Sequence, residues 1–174
     1  KKGCEISAQA HKAAMQFVAP NMNEQSLEAF YLYKFAEQGS RFPAYTPIVA
    51  GGEHACILHY VENDQTLNDG DLVLVDAGGE YECYASDITR TYPVNGKFSD
   101  EQLAVYKVVL EAHKQAIEAV KTGNHIMQPQ EISEQVITEG LVDLGILDGK
   151  IEDLLEEGAH KNFYMHKVGH WIGL

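Results

Sequence analysis

The sequence has few basic residues. Only 13 of its 174 residues are Lys or Arg, against 26 Asp or Glu, which gives a formal net charge of -13 at pH 7. No basic run occurs, so the charge pattern argues against nucleic acid or an anionic membrane as a partner. An excess of carboxylates is also what a cation site requires, although most of them must be solvated surface groups.

Cysteine and long apolar runs are scarce as well. The three cysteines, Cys4, Cys56 and Cys83, have no CxxC spacing, so neither a disulfide framework nor a zinc knuckle is indicated. We expect Cys56 and Cys83 to be small buried residues in apolar strands. No apolar run approaches the roughly 18 residues of a membrane span, and the first residues lack the apolar segment of a signal peptide. These absences predict a cytoplasmic protein with no membrane partner.

Both ends of the sequence have the patterns of interrupted elements. The first residues have helical spacing with no cap ahead of them, and the last five, HWIGL, have the pattern of a strand. The composition, 45% hydrophobic and 22% charged, is ordinary for a globular domain. We therefore expect residues 1–174 to form a single partial domain that is truncated at both ends.

Helical and strand patterns alternate along the chain. We predict helices at 4–18 and 24–38, a strand-and-loop segment at 45–60, strands at 72–77 and 89–94, and helices at 99–123 and 129–144. Ser99 and Gln102 have the spacing of a capping box. The helix that follows has a predicted apolar face, which would make His113 a structural residue; this face consists of Leu103, Tyr106, Leu110, His113, Ile117 and Val120.

The segment LVLVDAGGEYECYASDITRTYPV carries the first candidate site. A Gly-Gly turn after the first strand, followed by an antiparallel return at 81–85, predicts a hairpin with Asp76 on one side and Asp87 on the other. Two carboxylates a few ångströms apart repel each other unless a cation or a shared proton lies between them. A metal ion is the simpler solution. The alternative is structural: Asp76 would cap the turn, and Asp87 would pair with Arg90.

Three histidines are further candidates. His170 lies in KVGHWIGL, which we predict to be a strand, and it is either a metal ligand or a core or interface residue. His166 precedes it, but a strand would not direct both rings to one ion. His59 follows an apolar run and could line a cleft. An imidazole added to two carboxylates shifts the expected metal from Mg²⁺ or Ca²⁺ toward Mn²⁺, Co²⁺, Fe²⁺ or Zn²⁺.

Two long segments resemble a known family. CILHYVENDQTLNDGDLVLVDAGGEYECYASDITRTYPVNGKF and FYMHKVGHWIGL are similar to the pita-bread metallopeptidases, and within them to the bacterial Xaa-Pro aminopeptidases, or aminopeptidase P. Prolidases share the VDAG and SDITRT types of segment, but a Trp directly after His170 is more similar to aminopeptidase P. The resemblance implies an α+β pita-bread fold, a curved antiparallel sheet with helices on its outer face. Residues 1–174 would be an incomplete portion of that catalytic domain, without the family's N-terminal domain.

The resemblance also implies roles for individual residues. Asp76 would be the bidentate ligand of one metal ion, Asp87 would bridge two ions, and His170 would bind the other. His59 and His166 would be the catalytic histidines, one lining the substrate pocket and the other at its rim. Two Mn²⁺ ions would hold a water as hydroxide for attack on the scissile carbonyl of peptides with proline in second position.

The same resemblance sets limits and leaves alternatives. The family's two glutamate ligands and a further histidine would follow residue 174, so we expect residues 1–174 alone to be inactive and the full-length protein to be a homo-oligomer that acts on peptides. One alternative is a prolidase, which cleaves only Xaa-Pro dipeptides. The other is a binding module of the same fold that has lost catalysis.

Overall fold

A computed structural model describes residues 1–172 of the chain, and it is an α+β structure. The described residues form two compact units. The first comprises Lys1–Phe98 together with Ile172, and the second comprises Ser99–Trp171. None of the described helices is long and apolar enough to cross a membrane.

The first unit combines helices with short antiparallel strands. Its elements are α1 (Lys2–Phe17), α2 (Glu24–Glu37), β1 (Phe42–Pro43), β2 (Ile48–Gly51), β3 (Leu72–Asp76), β4 (Gly79–Glu80) and β5 (Thr89–Pro93). A 3-10 helix, Gly52–Cys56, follows β2. The central strand β3 pairs antiparallel with β2 on one side and with β5 on the other, and β1 pairs with β4. The two helices predicted from the sequence are confirmed within two residues.

The core of this unit lies between the helices and the three-stranded sheet. Buried side chains recur at helical spacing in α2, where Leu27, Tyr31 and Phe35 occupy one face. Alternate residues of β3, Val73 and Val75, are fully buried in the same cluster. Burial of these apolar faces explains why short strands remain ordered here.

The return of the hairpin differs from the prediction. Residues 81–85 are not a strand beside β3, because β5 occupies that position, with Asp76 opposite Thr89. Tyr81 and Tyr84 instead pair across a tight turn whose central residues, Glu82 and Cys83, have φ of 52° and 69°. Two consecutive left-handed residues reverse the chain, so a continuous strand cannot form.

The prediction that Cys56 and Cys83 are buried in apolar strands was wrong. Cys83 is exposed because it lies in that turn, and Cys56 is exposed at the end of the 3-10 helix. Neither residue lies in an apolar strand.

The second unit is helical. It contains α3 (Asp100–Ala119), α4 (Gln128–Asp143) and α5 (Ile151–Glu157), and the sequence pattern did not predict α5. The capping box at the start of α3 is confirmed: Ser99 Oγ accepts from the Gln102 backbone N–H, and Gln102 Oε1 accepts from the Ser99 backbone N–H. Pro129 lies in the first turn of α4, where the missing N–H costs nothing.

The buried face of α3 is not the predicted one. Its buried residues are Ala112, Ala116 and Ala119, whereas His113 and Ile117 are exposed. Small side chains on this face allow α4 to approach closely, and a Cβ on Gly140 would lie 2.3 Å from Val108 Cγ1. The pattern of large apolar residues therefore misplaced the face, because it gave alanine too little weight.

The segment before the end of the described chain is also different. Residues 167–172, which were predicted as the first part of a strand, form neither helix nor strand, because they have no β-pairing partner among the described residues. The end of the predicted strand, Gly173 and Leu174, lies outside the described residues.

Candidate metal centre

Two carboxylates meet at one end of the three-stranded sheet. Asp76 is the last residue of β3, and Asp87 precedes β5. The Tyr45 hydroxyl lies 2.5 Å from Asp76 Oδ1 and 3.1 Å from Asp87 Oδ1. One phenol has one proton to donate, so the two carboxylates share it. The convergence predicted from the sequence is therefore present, although the intervening chain takes a different path.

The chain between the two aspartates passes very close to itself. An added Cβ on Gly78 would lie 1.7 Å from the backbone oxygen of Ser86, so only glycine fits there. Gly78 comes two residues after Asp76, and Ser86 comes immediately before Asp87. This backbone approach brings the two carboxylates together without a regular hairpin.

The carboxylates are held in an environment that disfavours two negative charges. Burial raises the pKa of Asp76, the hydrogen bond from Tyr45 lowers it, and the charge of Asp87 raises it again. Burial and the two carboxylates also raise the pKa of Tyr45, which therefore remains a protonated donor. A divalent cation would relieve this repulsion, and an oxygen donor set suits hard cations. The residues present thus fit a metal ion.

The structural alternative has less support. The Arg90 guanidinium, which was the proposed partner of Asp87, donates through Nη1 to the carbonyl oxygen of Thr89 at 2.7 Å. Asp76 accepts from Tyr45, which lies far from the Gly-Gly turn in sequence. The Asp76 contact is therefore not the local turn cap that the alternative requires, whereas the pairing of Asp87 with Arg90 stays a prediction.

The three candidate histidines lie elsewhere in the chain. His59 belongs to the first unit and is exposed in a turn, with φ of 55°. His166 and His170 belong to the second unit and are exposed; His170 Nδ1 lies 2.8 Å from the Trp171 carbonyl oxygen. Within residues 1–172 no group of three or more His, Cys, Asp or Glu is arranged to hold a metal ion. The roles of these histidines remain predictions.

Sequence reasoning missed Tyr45. It lies three residues before Ile48, which the β2–β3 register places opposite Asp76. A correct prediction of that register would have brought Tyr45 to the carboxylates. Composition and spacing alone carry no such signal, because the contact joins residues that are distant in sequence.

A paired-carboxylate centre at the end of an antiparallel sheet, in an α+β fold, is the class of site that the geometry defines. The sequence model of Metallopeptidase family M24 matches residues 1–174, and the chain belongs to this family.

Two relatives with high sequence identity are both called Xaa-Pro aminopeptidase. The chain is 54% identical over 170 residues to a Xaa-Pro aminopeptidase of Haemophilus influenzae, covering 98% of this chain and 40% of the relative. It is 44% identical over 174 residues to the Xaa-Pro aminopeptidase of Escherichia coli K12, covering 100% of this chain and 40% of the relative. The chain thus spans well under half the length of these relatives.

Solved structures agree on the fold. Pseudomonas aeruginosa aminopeptidase PepP matches with a TM-score of 0.95 at 50% identity, covering 98% of this chain and 38% of that one. A Zn-substituted E. coli aminopeptidase P in complex with product matches with a TM-score of 0.94 at 44% identity, covering 97% of this chain and 38% of that one. The predicted α+β class and the resemblance to aminopeptidase P are confirmed.

Proposed function

We propose that the full-length protein is a two-metal Xaa-Pro aminopeptidase, which removes the N-terminal residue from peptides with proline in second position. The observation that carries this proposal is the pair of carboxylates, Asp76 and Asp87, that share the Tyr45 proton. Membership of a metallopeptidase family and the names of the relatives support it.

Each of the candidate residues has a separate role in this proposal. Asp76, Asp87 and His170 would hold the metal ions, and Tyr45 orients the two carboxylates by donating to them. When bound there, divalent ions would supply Lewis acidity for attack of water on the scissile carbonyl. His59 and His166 contact the substrate. An Xaa-Pro bond has no N–H, so these side chains replace the usual backbone recognition.

Manganese as the native metal, a cytoplasmic location and a homo-oligomeric assembly are further parts of this proposal. Two carboxylates with one imidazole suit Mn²⁺ among several divalent ions. The location and the assembly rest on the sequence patterns and the family resemblance.

The test uses the full-length protein with Mn²⁺ and two substrates, an Xaa-Pro-Yaa tripeptide and the matching Xaa-Pro dipeptide. We expect cleavage of the tripeptide at the Xaa-Pro bond, and loss of that cleavage in Asp87→Asn, which replaces a charged oxygen ligand by a neutral amide. Product release is followed by chromatography.

Other outcomes identify the alternatives. Cleavage of the dipeptide alone would make the protein a prolidase. Binding of the tripeptide without cleavage, at any divalent metal concentration, would make it a binding module.

A further inference from the structure

One face of α1 carries buried polar side chains. Ser7 and His11, one helical turn apart, are 0% and 2% exposed. Buried polar groups are costly unless they are hydrogen-bonded, so their partners define what this face does. Within the described residues, the Ser7 hydroxyl bonds to Gly79 and Ser86, and the His11 ring bonds to Ala77; all three partners lie in the segment that connects Asp76 to Asp87.

The protons around His11 can be assigned from chemistry. His11 Nε2 lies 3.1 Å from the carbonyl oxygen of Ala77, which can only accept, so Nε2 carries the hydrogen. Burial lowers the pKa of His11, so the ring is neutral and Nδ1 is an acceptor. Tyr31 therefore donates to Nδ1 at 2.9 Å, and Tyr92 donates to the Tyr31 oxygen at 3.2 Å. This series of hydrogen bonds ends at the carbonyl oxygen of Ala77, the residue after Asp76.

The protons around Ser7 form a closed ring. Ser86 Oγ donates to the Gly79 carbonyl oxygen at 2.7 Å, so its single proton is used there. Ser7 must then donate to Ser86 Oγ at 2.8 Å, while it accepts from the Gly79 N–H at 2.9 Å. Both backbone groups of Gly79 are thus satisfied by serines, and one of those serines directly precedes Asp87.

Together these contacts hold the connecting segment at both ends. His11 binds the backbone carbonyl next to Asp76, whereas Ser7 binds the Gly79 N–H and the side-chain hydroxyl of Ser86, the residue before Asp87. Gly78 lies between the two contacts, and an added Cβ there would lie 1.7 Å from the backbone oxygen of Ser86. Neither Ser7 nor His11 touches the carboxylates in any of these bonds.

We infer that Ser7 and His11 are positioning residues for the metal centre, which act through the backbone to keep the two carboxylates at the spacing a divalent cation needs. This inference rests on the proposed function for the role of the cation. Partners outside the ligand set are known to matter in metal sites, where their loss costs about 10- to 100-fold in metal affinity.

The test compares metal affinity with stability in the full-length protein. The variants are Ser7→Ala, His11→Leu and His11→Gln, with Tyr92→Phe as the matched control. His11→Gln retains an N–H donor near the position of Nε2. Tyr92→Phe removes a buried hydroxyl from the same network but leaves the contact with Ala77. The readouts are the Kd for Mn²⁺ by titration calorimetry and the urea midpoint of the metal-free protein.

We expect Ser7→Ala and His11→Leu to bind Mn²⁺ about 10- to 100-fold more weakly than the wild type, and His11→Gln to recover most of the loss. Tyr92→Phe should lower the urea midpoint with the wild-type Kd retained. The inference is overturned if His11→Leu or Ser7→Ala binds Mn²⁺ as tightly as the wild type. It is also overturned if affinity falls in proportion to stability in all four variants, or if His11→Leu and Ser7→Ala both fail to fold and His11→Gln shows no rescue.

The same titrations separate this inference from the proposed function. If the wild type binds Mn²⁺ but cleaves no Xaa-Pro bond, the proposed activity fails and the positioning role is still decided by the variants. If the wild type binds no divalent cation, both are overturned.

Discussion

At the scale of single residues, Tyr45 is the side chain that makes the metal-free centre possible. Its hydroxyl contacts both Asp76 and Asp87, and its ring is partly buried beside them. Hydrogen bonds to charged groups contribute about 1.5–3 kcal/mol each, and leaving a buried charge without its donor costs at least as much. A bound cation supplies the same compensation, so the contribution of Tyr45 depends on whether metal is present.

We therefore predict that Tyr45→Phe destabilises the metal-free protein by about 1.5–3 kcal/mol and the Mn²⁺-bound protein by clearly less. The measurement is urea unfolding of both forms, with and without a chelator. Tyr33→Phe is the matched control, because Tyr33 is exposed and donates to the surface residue Glu37. We expect it to cost less than about 0.5 kcal/mol. Equal losses for Tyr45→Phe in both forms would contradict the prediction.

At the scale of elements, α3 and α4 pack through small residues. Gly140 of α4 faces Val108 of α3 so closely that an added Cβ would lie 2.3 Å from one methyl carbon and 2.6 Å from the other. Val108 is β-branched, so its χ1 is stiff in a helix and it cannot move aside cheaply. Glycine inside a helix is otherwise unfavourable by roughly 0.8–1 kcal/mol relative to alanine. Close packing outweighs this propensity at position 140.

A double-mutant cycle tests that balance. We predict that Gly140→Ala destabilises the protein by about 1–3 kcal/mol, as expected for overpacking, despite the better helix propensity of alanine. In the background of Val108→Ala the clash is absent, so the same change should be neutral or stabilising. The coupling energy from denaturant unfolding should then exceed about 1 kcal/mol. If the effects of Gly140→Ala and Val108→Ala on the free energy of unfolding were additive, the prediction would be contradicted, because α3 and α4 could then shift apart to accommodate the added methyl group.

At the scale of the whole molecule, the proposed metal centre would link metal binding to folding. Asp76 and Asp87 are ordered together only in the folded chain, because residues distant in sequence bring them together. A ligand that binds only the folded state stabilises it by about 2.7 kcal/mol at a concentration 100 times its Kd. Mn²⁺ should therefore raise the melting temperature of the full-length protein, and a chelator should reverse the change.

The variant Asp87→Asn should separate charge repulsion from metal binding. Removing one of two neighbouring, half-buried charges relieves repulsion, so we expect the metal-free variant to be at least as stable as the metal-free wild type. Its melting temperature should respond little to Mn²⁺. The control is Asp148→Asn at an exposed position, which should keep the full response to Mn²⁺. An undiminished response in Asp87→Asn would exclude this residue as a ligand.

Local sequence signals accounted for much of the fold. Some signals act between neighbouring residues and can therefore be recognised in the sequence. They are the helical periods of α1 and α2, the Ser99–Gln102 capping box and the apolar run of β3. The buried face of α3 could not be read in this way. It depends on how closely α4 approaches, and alanine has little weight in a hydrophobic pattern.

The sequence by itself determined the candidate carboxylates and the family, because Asp76 and Asp87 lie in a segment whose residue order is specific. Only the tertiary structure decided how these carboxylates meet. A strand register brings Tyr45 to both of them, a near-contact at Gly78 closes the segment between them, and the buried side chains of Ser7 and His11 hold its backbone. The hydrogen bonds of Tyr45, Ser7 and His11 join residues far apart in the chain, and hydrogen-bond geometry across such separations is set by packing.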